Sequence, residues 1–306
     1  MKLRLPLRVF CDNNFKGNDV ELIAVDRNPS DKLWGDLSAR SGDVDSQGQP
    51  KTICVVVLDD GAETGNPSPS RSPANKNTFT TKANSRLATR WFQGTREIQL
   101  CGSALAATSY ALERHLGMAL LQKIHHQTTQ VELCTAERAP DSSNGSRSSA
   151  QPLYGFSMPR TKLQVDELPV AAIDWFGVPI TQALSTENEK GYWVLEVSDP
   201  LEALTPNFGA ISASTDRAII LTTTVAAQKP SVERDYSLRY FAPQYGIDED
   251  IATGSANAIA ACYWGEKLNK NRLIAEQIPA NHSGGRFYLT LDSHTVKVYG
   301  EVREES

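Results

Sequence analysis

Thr253-Gly254-Ser255-Ala256-Asn257-Ala258-Ile259-Ala260-Ala261 opens an Ala-rich run, and Cys101-Gly102-Ser103-Ala104-Leu105-Ala106-Ala107 opens another 152 residues earlier in a chain of 306. Each run follows an Arg-aromatic-Phe strand, Arg90-Trp91-Phe92 in one case and Arg239-Tyr240-Phe241 in the other. The repeated order of strand, loop, Gly-Ser-Ala and small-residue helix predicts two similar halves. Apolar residues cover nearly the whole circumference of both helices until Glu113 and Glu266. A helix patterned in that way is enclosed rather than laid on a surface. Strands around one buried helix, twice over, give an α+β fold made by duplication. The expected halves are residues 1–120 with 289–306, and residues 121–288.

Outward from the two runs, the strands read from their apolar content. Residues 7–11 and 20–25 flank a turn from Asp12 to Asn18, in which Gly17 supplies the positive φ. KTICVVVLDD, starting at Lys51, is a continuous apolar strand. A short helix is expected over 31–40. Strands also read at TQVELCTAE, LYGFSM, YWVLEVS, RAIILTTTV and YSLRYF, with a short helix at AAIDWFGV and a closing hairpin of RFYLTL and TVKVYGEV. GAETGNPSPSRSPANKN and RAPDSSNGSRSSAQ are turn-rich and read as exposed loops. Gly117 is the expected stop of the first helix.

Composition narrows the function. A net charge of −5 with scattered Lys and Arg argues against a nucleic-acid surface. No run approaches the ~18 apolar residues of a membrane span. The N-terminal MKLRLPLRVF carries Arg and Pro where a secretory leader needs an apolar stretch. Cys11, Cys54, Cys101, Cys134 and Cys262 are odd in number and widely spaced, which fits reduced thiols and a cytoplasmic setting. There is no CxxC or HExxH, so no metal site is expected.

The chemistry concentrates at the two repeats. Free N–H groups and the macrodipole make a helix N-terminus favour anions. Gly102 and Gly254 let backbone approach a ligand, and Ser103 and Ser255 can cap or donate. One such motif alone reads as a plain helix start; two at matched positions favour a site. Asp248-Glu249-Asp250 precedes the second helix, placing a carboxylate beside Thr253 that can carry or orient a proton. Cys101 stands just before the first helix, where a thiol tends toward thiolate, although a lone cysteine reads first as a small buried apolar residue.

RYFAPQYGIDEDIATGSANAIAACYW, RWFQGTREIQLCGSALAATSYAL, VFCDNNFKGN and the Gln-to-Gly-Arg close of EQIPANHSGGR resemble the phenazine biosynthesis PhzF-like family, within the diaminopimelate-epimerase-like superfamily. The resemblance implies two pseudo-symmetric halves, each a curved sheet around a central helix, with the active site between them. It implies proton movement on a small carboxylate-bearing substrate, isomerisation or epimerisation, without metal or organic cofactor, and a homodimer is common in the family. Its catalytic Asp falls on Asp250, its Gly-Ser site on Gly254 and Ser255, and its first-half Gly on Gly102. Two positions depart. Ser103 stands where the family has His, and no S-E-T-x-F motif supplies the family's Glu base. Aligning KTICVVV puts Lys51 at that Glu; aligning NKNTF puts Lys76 there. The first register is preferred, because it leaves the Ser/Pro run as a loop. A charged lysine takes no proton, which makes Cys101 the candidate second group. The competing expectation is a lapsed enzyme that binds a small carboxylate.

Overall fold

The computed structural model describes residues 2–25, 44, 51–59, 77–80, 86–93, 96–98, 100–118, 123–126, 129–136, 152–188, 190–224, 234–280 and 283–305. The helix expected over 31–40, both Ser-rich loops and Lys76 lie outside them.

In chain order the first strands are β1 (Leu3–Cys11), β2 (Asn18–Val25), β3 (Thr52–Asp59), β4 (Asn77–Thr80), β5 (Arg86–Gln93) and β6 (Arg96–Ile98). Helix α1 (Gly102–Arg114) follows, then β7 (Lys123–His126), β8 (Thr129–Ala136) and β9 (Leu153–Pro159). The second series is β10 (Leu163–Val165), β11 (Ile180–Thr186), β12 (Tyr192–Val197), α2 (Phe208–Ser214), β13 (Ala218–Thr224), β14 (Tyr236–Ala242) and β15 (Ile247–Asp250). Helix α3 (Gly254–Leu268), β16 (Arg272–Gln277), β17 (Gly285–Leu291) and β18 (Thr295–Glu304) close the chain.

Strand pairing shows the duplication directly. In the first half β1–β2 is antiparallel, β2–β3 parallel, and β3–β5 and β5–β6 antiparallel. In the second, β11–β12, β12–β13, β13–β14 and β14–β15 repeat that sequence of senses. Each series delivers the chain into its Ala-rich helix. The parallel-paired β3 is apolar and buried from Ile53 to Val57, as a strand covered on both faces requires.

Around α1 the ladder runs from β1 through β2, β3, β5, β4, β7, β8, β9 and β18 back to β1. The closed ladder encloses the helix. This corrects the expected boundary at 121. Strands β7 to β9 belong with α1, so the crossing to the second half follows Pro159. The return begins with β18 at Thr295 rather than at 289. Strand β18 serves both halves: Thr295–Gly300 pairs with β9, its start also pairs with β17, and Glu301–Glu304 pairs with β1. A Ser-rich insertion between β8 and β9 hid their kinship in the sequence. Helix α3 packs on β13, β14, β16, β17 and β18. One apolar core runs through both halves, from Leu105 and Leu112 of α1 to Ile259 and Trp264 of α3.

Other expectations shift by small amounts. Helix α1 ends at Arg114, and Gly117 takes its positive φ three residues on. AAIDWFGV forms only a 3-10 turn, Val170–Asp174. Strands β10, β11 and β16 carry too mixed a pattern to read from sequence. Gly17 holds φ +67, and a Cβ there would strike the Val9 carbonyl. Among the described residues no helix is long and apolar enough to cross a membrane.

Candidate active site at the two helix N-termini

Each helix is delivered by a hairpin with a clamped ion pair. Arg239 Nε and Nη2 donate to Glu249 Oε1 and Oε2 at 2.6 and 2.9 Å, and its Nη1 donates to the Leu201 and Leu204 carbonyls. Arg90 Nε and Nη2 donate to Glu97 Oε1 and Oε2, both at 2.7 Å. Each glutamate stands four residues before the residue that opens its motif, Glu97 before Cys101 and Glu249 before Thr253. The two-residue period of a strand then turns the next side chain to the other face. In the second hairpin that residue is Asp250; in the first it is Ile98. One half therefore brings a carboxylate to its helix and the other does not.

The two helices meet at their first residues. A Cβ built on Gly102 would lie 3.1 Å from the Gly254 Cα and 3.0 Å from the Phe156 ring. Phe156, fully buried on β9, wedges against both glycines. The first-turn N–H groups of a helix have no intrahelical acceptor, so two positive helix ends share one location.

Cys101 and Thr253 occupy the N-cap positions, and neither caps with its side chain. Of the two roles open to Ser103 and Ser255, capping or donating, capping falls away, since both lie inside the first turn. The Thr253 hydroxyl donates to Asp250 Oδ2, and Asp250 Oδ1 accepts from the Ile251 N–H at 2.9 Å. Asn18 of the FKGN turn donates to the Ala252 carbonyl at 2.6 Å and ties the first half to this loop.

Cys101 Sγ lies 3.2 Å from Ser103 Oγ. Burial pushes its thiol up, the Ser103 hydroxyl opposes that, and the nearby Asp250 charge adds to it. A helix start by itself draws a thiol toward thiolate; here desolvation outweighs that pull. The Asp250 carboxylate, from the other half, is thus close enough to act on the thiol electrostatically. Behind Cys101, burial pushes Cys54 up to about 12.

Two tyrosines complete the second half of the site. Tyr192 is bonded to Ser255, and burial raises its hydroxyl more than that bond lowers it. Tyr240, opposite Asp250 in the β14–β15 register, is raised well above its ordinary value by burial, with Tyr192 and Asp250 adding to it. Their rings lie 6.4 Å apart. Sequence reading missed both tyrosines, together with Phe156 and Gln277. The position of Tyr240 inside the Arg-aromatic-Phe repeat was the available signal; Tyr192 and Phe156 carried none. Lys51 is half-buried immediately before β3, the strand between β2 and β5. No hydrogen bond or ion pair among the described residues joins it to Asp250, Cys101 or the glycines.

The sequence profile of the phenazine biosynthesis-like protein family, PhzC-PhzF, matches residues 74–303. The chain belongs to that family. An uncharacterized isomerase of Halalkalibacterium halodurans is 30% identical over 215 residues, covering 70% of this chain and 74% of that protein. A phenazine biosynthesis-like domain-containing protein of Homo sapiens is 28% identical over 211 residues, 66% of this chain and 69% of that one. The crystal structure of a PhzC/PhzF protein from Clostridium difficile superposes with a TM-score of 0.68 at 22% identity, over 99% of this chain and 96% of that one. An Enterococcus faecalis PhzF-family structure gives 0.67 at 19% identity, over the same shares. These structures fix the fold as that of the PhzF family, and isomerase is the activity class by which relatives in the family are named.

Proposed function

We propose that this protein is a cofactor-independent isomerase of a small carboxylate, working where α1 and α3 meet. The observation that carries the reading is the convergence of Asp250 from one half and the Cys101 thiol from the other at two helix N-termini. The substrate carboxylate docks on the free N–H groups of the helix starts. Asp250 takes the proton from the adjacent carbon, and the C–H electron pair moves onto the activating group as an enolate. The helix N–H groups stabilise that developing charge. Cys101, held as a neutral thiol, returns a proton from the other side or to the neighbouring carbon. Protonated Asp250 and the thiolate then reset by exchange with solvent. One carboxylate and one thiol suit a single-direction proton shift better than a symmetric two-thiol racemisation.

Lys51 favours a second reading, a binding protein without turnover, since the family resemblance puts it at the position of the Glu base. Its charge also favours a substrate with a second carboxylate. The test is deuterium uptake from D2O into a panel of small mono- and dicarboxylates, read by proton NMR. Exchange by the wild type that is lost in Asp250→Asn and Cys101→Ala supports the isomerase. Calorimetric binding of a panel member with no exchange anywhere supports the binding protein.

A further inference from the structure

Gln277 ends β16 with its side chain fully buried behind the start of α3. We infer that Gln277 is a positioning residue for Asp250, because it sets the direction in which the Thr253 hydroxyl gives its proton. The inference rests on Asp250 being the carboxylate of the site. The orientation of the Gln277 amide follows from its main-chain partners. Oε1 faces the Thr253 N–H at 2.7 Å, a group that only donates. Nε2 faces the Asp250 carbonyl at 2.7 Å, a group that only accepts. The amide therefore fits one way round. Its second N–H points at Thr253 Oγ1, 3.1 Å away.

A hydroxyl that accepts from Gln277 keeps its single proton for its other neighbour, Asp250 Oδ2. Upstream, Asn257 Nδ2 donates to Gln277 Oε1 at 3.3 Å and to the Thr253 carbonyl at 3.0 Å. Donation thus runs in one direction, from Asn257 to Gln277 to Thr253 to the carboxylate. Bonds aligned in that way polarise one another and strengthen the last of them. The result is an Asp250 held as an acceptor. The first half cannot build this device, since Ile98 and Leu105 stand where the second half has Asp250 and Asn257.

The experiment is a carbon-13 NMR titration of the Asp250 carboxyl, assigned by its disappearance in Asp250→Asn. Among the described residues, Cys101 and Tyr240 are titratable groups coupled to Asp250 from other elements of the site. Both are pushed up by burial, so neither ionises in the acid range. Thr253→Val should raise the Asp250 midpoint by about one pH unit, the size of one lost hydrogen bond. Gln277→Met should raise it in the same direction, and Thr253→Val with Gln277→Met should sit where Thr253→Val alone does. An unmoved midpoint in folded Gln277→Met, or a rise that adds to that of Thr253→Val, overturns the inference. If Gln277→Met does not fold, Asn257→Ala takes its place. That change removes the two Nδ2 bonds at the head of the chain of donors; a smaller rise supports the inference and no rise overturns it. Absence of turnover in the wild type would sink the isomerase reading and leave this result standing.

Discussion

Gly102 and Gly254 stand against one another across the molecular pseudo-symmetry, so close that a Cβ on either would lie 3.1 or 3.3 Å from the other's Cα. The contact explains why the duplicated motif keeps glycine in both copies: it is the point where two helix starts converge and any side chain would part them. In an ordinary helix Gly→Ala gains about 1 kcal/mol. Here the new methyl also meets the Phe156 ring at 3.0 Å. Gly102→Ala should therefore lose about 1–3 kcal/mol, the usual cost of overpacking. Urea unfolding gives the sign, and Phe156→Leu in the same chain should recover part of the loss. A stabilised Gly102→Ala would show that the helix ends are not in contact.

The two Arg–Glu clamps are both bidentate but unequal in burial, and Arg239 also holds the Leu201 and Leu204 carbonyls. Arg239 and Glu249 have side chains 1% and 9% exposed, against 21% and 32% for Arg90 and Glu97. Arg239→Met strands a buried carboxylate and should cost about 3–5 kcal/mol. Arg90→Met should cost below about 1 kcal/mol, because water screens and replaces the partner. Equal losses in urea unfolding would mean that hydrogen-bond geometry, not desolvation, governs these pairs.

Cys101 offers two perturbations of opposite sign. The Asp250 charge pushes its thiol up and the Ser103 hydroxyl draws it down. Asp250→Asn should lower the thiol's titration and speed iodoacetamide labelling at pH 8, since the thiolate is the nucleophile. Ser103→Ala should slow it. Peptide mapping reads both rates, with Cys54 as the unreactive internal control. Slower labelling in Asp250→Asn would place the carboxylate out of range of the thiol.

The duplication was legible because two Gly-Ser-Ala helices carry their own pattern, small residues on every side and an Arg-aromatic-Phe strand before each. Asp250 was legible for the same reason. The assignment of β7 to β9 to the first half was not, because barrel closure is a pairing of distant strands and leaves no local mark. The Thr253 hydroxyl on Asp250 was not legible, because only the folded loop creates that contact. For Cys101 the helix N-terminus that favours thiolate is visible in the sequence, whereas the depth of burial that outweighs it belongs to the fold. Gln277 was visible as a letter of a motif, but its role needed the return of β16 beside β14.

The turn at Asp292 gives the acid limb of stability a specific source. Its Oδ1 accepts from the His294 and Thr295 N–H groups at 2.8 and 2.7 Å, and Oδ2 accepts from the Thr295 hydroxyl at 2.7 Å. The Thr295 hydroxyl and these N–H groups hold the carboxyl below its ordinary 3.8, at about 2. A group depressed on folding stabilises the native state fully above its unfolded value and loses that contribution as pH falls through its folded value. The window is therefore from about 4 down to about 2. Glu304, at the far end of the same strand, is also lowered, first by the Tyr110 hydroxyl and then by His115, and adds with the same sign. Asp292 is exposed, so solvent screening keeps its share small. The turn nevertheless registers β17 on β18, the strand that both halves use. Asp292→Asn should lower the melting temperature at pH 7 and match the wild type near pH 2, the gap closing through that window. A gap that stays constant with pH would show that the turn depends on side-chain shape and not on charge.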